Sequence, residues 1–65
     1  MPSKDANRLY VAMKELKAMT QAPAINIADA IRLAGLTEEE GRAALKELEQ
    51  EAMVRDAGST IREDY

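Results

Sequence analysis

Leu9, Ala12, Met13, Leu16 and Met19 recur at steps of three and four residues. At 3.6 residues per turn that spacing makes one apolar stripe, so residues 3–19 are predicted as a helix. Ser3 or Asp5 can cap it by accepting from a first-turn N–H. Lys14, Glu15 and Lys17 fall off the stripe, and Tyr10 and Val11 lie at its margin. The pattern breaks at residues 20–23, where Pro23 disfavours helical backbone at Ala22. Residues 24–27 are read as a very short strand. Asn26 then caps a second helix, with Asp29 three residues on in a capping-box-like spacing. Ile27, Ala30, Ile31 and Ala34 form its inner stripe, with Leu33 beside it. Gly35 ends it, because glycine takes positive φ without a steric cost. Leu36 is expected to plug the core beneath that turn.

Thr37 to Glu40 has the Thr-x-x-Glu spacing of a capping box, directly before an amphipathic run. A third helix is predicted over 38–51, with Gly41, Ala44, Leu45 and Leu48 facing inward. At Gly41 either helix 1 packs unusually close or a gap remains. Residues 53–56 are predicted as a strand, 57–60 as a turn and 61–65 as the returning strand, with Gly58 able to take positive φ. The expected core is Leu9, Met13, Leu16, Ile31, Leu36, Leu45, Leu48 and Val54.

At 65 residues the chain is read as one domain, 1–65. A domain this small buries only about 60% of its unfolded surface, so a partner would help it. Cysteine and histidine are both absent. That removes a disulfide framework, a thiolate metal site and imidazole chemistry. No spacing forms a nucleophile–base set, and the three glycines are too dispersed for a phosphate loop. No catalytic residue, metal or cofactor is expected. No apolar run approaches the roughly 20 residues of a membrane span and no signal peptide is visible, so a cytoplasmic protein without a membrane partner is expected.

The order helix, short strand, helix, turn, helix, strand, turn, strand resembles the winged helix-turn-helix superfamily. The resemblance covers about residues 24–65, with helix 1 as the supporting helix. It is carried by Ala34-Gly35-Leu36-Thr37 at the turn, by the Leu45-x-x-Leu48 spacing, and by Met53-Val54-Arg55 opening a wing. Two positions depart from the pattern: Gly41, commonly a larger apolar residue, and Ala52, often a glycine. The resemblance implies a mainly α fold with a small β-wing, a three-helix winged helix-turn-helix. It also implies a small DNA-binding transcriptional regulator with helix 3 as recognition helix. Contacts to double-stranded DNA would then come from Thr37, Arg42 and Lys46, and from Arg55, Ser59, Thr60 and Arg62 around the wing.

Charge complicates that expectation. The net charge is -3. Residues 1–34 carry five basic and three acidic side chains, whereas residues 35–52 carry two basic and six acidic. Phosphate neutralisation supplies most non-specific DNA affinity, so this balance opposes strong binding, although a local basic face can still act. Glu38, Glu39 and Glu40 favour the helix start; they can also form an acidic surface for a protein. Arg42 can pair with Glu38 or Glu39 instead of DNA, and Lys46 likewise with neighbours on its own helix. Arg55 and Arg62 can pair across strands with Asp56, Glu63 or Asp64. Lys4, Arg8, Lys14 and Lys17 give helix 1 a basic outer surface, by default a solvated one. A cluster of Tyr10, Val11 and Leu33 would mark a homodimer or partner surface. The alternative functions are a protein-interaction module whose acidic helix 3 meets a basic partner, and a structural subunit of a larger complex.

Overall fold

The computed structural model describes residues 3–63. Asp64 and Tyr65, expected at the end of the returning strand, lie outside them. Three helices and a three-stranded antiparallel sheet with strand order β1-β3-β2 share one apolar core. The elements are α1 (Lys4–Thr20), β1 (Ile25–Asn26), α2 (Ile27–Leu33), α3 (Glu38–Gln50), β2 (Val54–Asp56) and β3 (Thr60–Glu63).

Each helix starts on the cap its sequence suggests. The Ser3 hydroxyl oxygen accepts from the Ala6 N–H, and Asn26 Oδ1 accepts from the Asp29 N–H. At α3 the box is reciprocal. Glu40 N–H donates to Thr37 Oγ1 at 3.1 Å, and Thr37 N–H donates to Glu40 Oε1 at 2.9 Å. The helix ends use left-handed residues. Gly35 (φ 73) follows α2, and the Leu36 N–H reaches back to the Ile31 carbonyl while the Gly35 N–H reaches Arg32. The same pair of bonds ends α3, from Met53 to Leu48 and from Ala52 to Glu49. There the left-handed position belongs to Ala52, at φ 58.

The core is aliphatic. Leu9, Met13, Ile31, Leu45, Leu48 and Val54 are buried as expected. Leu16 and Leu36 are only half-buried and pack on the core's edge. Met19 leaves the stripe altogether at 73% exposed, because the last turn of α1 buries no side chain. Ile25 and Ile61 were not expected in the core and are both buried. They face each other across β1 and β3, with Asn26 opposite Thr60. That pairing draws Thr60 out of the turn and into β3, one residue before the predicted start.

Gly41 is not beside a gap. Its close neighbour is Ile31 of α2. A Cβ at position 41 would meet Ile31 Cγ1 at 2.5 Å, Cγ2 at 2.6 Å and Cδ1 at 2.7 Å. Branched carbons held in a buried side chain cannot swing aside cheaply.

Two stability outcomes follow from these positions. Ala52→Gly is expected to stabilise by about 0.5–1 kcal/mol, since a left-handed L-residue costs ~1 kcal/mol or more and glycine forfeits part of that in entropy. Urea unfolding would show a raised midpoint at unchanged slope. Gly41→Ala is expected to destabilise by up to about 2 kcal/mol: overpacking costs ~1–3 kcal/mol and helix propensity returns ~1. Gly41→Ala can be measured in the Ala52→Gly background. With Ile31→Ala added, the Gly41→Ala change should reverse sign; continued destabilisation there would put the obstruction elsewhere.

Candidate nucleic-acid interface

The inward face of α3 is Gly41, Ala44, Leu45 and Leu48. At 100° per residue, the opposite face is Glu39, Arg42, Ala43, Lys46 and Gln50, all exposed. Arg42 and Lys46 stand one turn apart. Among the described residues neither forms an ion pair, so the expected pairing of Arg42 with Glu38 or Glu39 is not made.

Five glutamates lie on α3, and two of them hold the fold. Glu40 closes the capping box. Its pKa is lowered by the backbone hydrogen bond from Thr37, then by the Thr37 side chain, with a smaller contribution from Arg8. Glu47 reaches α1, where Oε1 accepts from the Ser3 N–H at 3.0 Å and Oε2 from the Ser3 hydroxyl at 2.6 Å. Glu38, Glu39 and Glu49 remain exposed against Arg42 and Lys46. Glu39 shares the outer face with Lys46 rather than turning from it.

Thr37 is exposed at the start of α3, but its backbone N–H is already held by Glu40. Only its hydroxyl hydrogen is available to a ligand.

The sheet supplies the second cluster. Strand register sets Arg55 directly opposite Arg62, and Asp56 in the hairpin accepts from the Gly58 N–H at 2.8 Å. Asp64 lies outside the described residues. Arg55 and Arg62 are both exposed. Residues directly opposite project from the same face, with Cβ atoms about 4.5–5.5 Å apart. Thr60 is half-buried beside them, and Ser59 is exposed at the tip. The tip is braced from below: the Ser59 carbonyl accepts from the Ile27 N–H at 3.1 Å and the Thr60 carbonyl from the Ala57 N–H at 2.9 Å.

The basic surface of α1 is partly spoken for. Lys14 Nζ lies 5.0 Å from the Tyr10 ring centre, a cation–π distance. Arg32 of α2 is paired with Asp29 at 3.5 Å. Ala43 and Gln50 were not singled out from the sequence. Their signal was present in the step from 39 through 43 and 46 to 50, the polar complement of the buried stripe. Among the described residues, no group of three or more acids is placed to hold a metal, and no helix is long and apolar enough to cross a membrane.

The chain matches no family model, no curated protein and no solved structure. Function must therefore be argued from these side chains.

Proposed function

We propose that the chain is a winged helix-turn-helix domain that binds double-stranded DNA and regulates transcription by occupying its site. In this reading α3 enters the major groove and the β2–β3 hairpin is the wing. The observation that carries it is the opposition of Arg55 and Arg62 on the exposed face of the sheet. Two guanidinium groups on one strand face present several donors to a phosphate backbone. The helix order and the sheet order β1-β3-β2 are compatible with the layout.

On α3, Arg42 has the geometry for the O6 and N7 acceptors of guanine, and Lys46 reaches a phosphate. Gln50 suits adenine, Ala43 a thymine methyl, and Glu39 can accept from cytosine N4. Thr37, Ser59 and Thr60 add hydroxyls at the edges. Affinity would be modest, because the net charge of -3 opposes a polyanion. One observation favours a second reading: Glu38, Glu39 and Glu49 outnumber the exposed cations of α3, which suits a basic protein partner.

Fluorescence anisotropy with duplex DNA separates the roles. Arg55→Ala and Arg62→Ala should weaken all duplexes alike, each lowering the salt slope by about one. Lys46→Ala should behave the same way. Arg42→Ala should cost about 1–3 kcal/mol on a preferred site and relax specificity there. Full binding by the Arg55→Ala/Arg62→Ala double variant would remove the hairpin from the interface.

A further inference from the structure

The large apolar side chains exposed among the described residues are Val11, Met19 and Leu33, at 54%, 73% and 46%. Val11 and Leu33 line one open groove of about 430 Å³ between α1 and α2, together with Lys4, Arg8, Ala12 and Glu15. Along α1, Lys4, Arg8, Val11, Glu15 and Met19 follow one another by four, three, four and four residues. They make a single stripe beside the groove.

The charges on this stripe are arranged antisymmetrically. Cations occupy its N-terminal half, Glu15 its C-terminal half, and Val11 with Ala12 the middle. An interface formed by a two-fold axis must be complementary to itself. If that axis passes between residues 11 and 12, antiparallel helices bring together positions whose numbers sum to 23. Arg8 then meets Glu15 of the second copy, twice. The two exposed Val11 side chains meet at the axis, where the buried Ala12 adds no bulk, and the Lys4 stem lies over Met19. Every charged position on the stripe finds an opposite charge or an apolar surface. A parallel alignment would set Arg8 against Arg8.

We propose that this stripe of α1 and the groove beside it bind a second copy of the chain in antiparallel, two-fold pairing. The same approach covers Leu33 at the groove's edge. The association is weak, because one helix stripe buries less than the ~800 Å² per partner of a standard interface. Dissociation at or above about 10 μM is expected. Arg8 also lies in the field of Glu40 on its own chain, so Glu15 is the cleaner position to alter. None of this depends on DNA binding, and the test contains no DNA.

Sedimentation equilibrium from about 5 to 500 μM reads the association directly. The unaltered protein should pass from monomer to dimer across that range. Arg8→Glu and Glu15→Arg each place like charges at both contacts, and each should raise the dissociation constant about tenfold. An equimolar mixture of the two should recover the original association, because their stripes complement one another. Val11→Ser, at an exposed position, should weaken pairing without loss of thermal stability, and it carries the test if Arg8→Glu does not fold. A protein that stays monomeric at 500 μM would overturn the proposal. So would a mixture no better than its components, or a Val11→Ser variant that associates normally.

Discussion

The side chain of Ile31 lies against the bare Cα of Gly41, and the close approach of α2 to α3 depends on that contact. Nothing larger than hydrogen fits between them. Because Ile31 is almost fully buried, it cannot yield, and α2 and α3 meet closely at one point. The turn between them is correspondingly tight: Gly35 takes the left-handed position and Leu36 is tied back to the Ile31 carbonyl. With α2 and the turn fixed, Leu45 and Leu48 are delivered to the core and Arg42, Lys46 and Gln50 to solvent. A side chain at position 41 would push Ile31, and α2 with it, away from α3.

Local signals made the helices legible and left the long-range pairings hidden. The three helices were readable because stripes of several turns and side-chain caps are written in neighbouring residues. The Thr37–Glu40 box and the Gly35 stop are both local. Ile25 and Ile61 escaped notice because a two-residue strand has no period, and its partner lies far along the chain. Ala52 carries no compositional sign of its left-handed backbone. The clip from Ser3 to Glu47 spans 44 residues and depends on how α1 crosses α3. At Gly41 the sequence indicated an anomaly but not its neighbour, since spacing alone cannot tell which helix comes close.

The candidate site divides in the same way. Arg42 and Lys46 share a face because they are one turn apart, which any helical reading yields. The opposition of Arg55 and Arg62 depends on strand register, and uncertainty of one residue at a strand end would move each arginine to the other face. Glu40 and Glu47 are held by the cap and by Ser3 of α1 but keep their charge, so the acidity of α3 still opposes a polyanion. What opposes a phosphate on the outer face is chiefly Glu39, next to two cations without acidic partners among the described residues.

The claim that local cation clusters on an acidic domain bind DNA is tested most directly by titrating the unaltered protein with a random-sequence duplex at about 50 and 200 mM salt. Binding through roughly two to four phosphates should fall about 12- to 150-fold between them, with a slope of log affinity on log salt of roughly -1.8 to -3.6. No binding at the lower salt, or an affinity indifferent to salt, would contradict it.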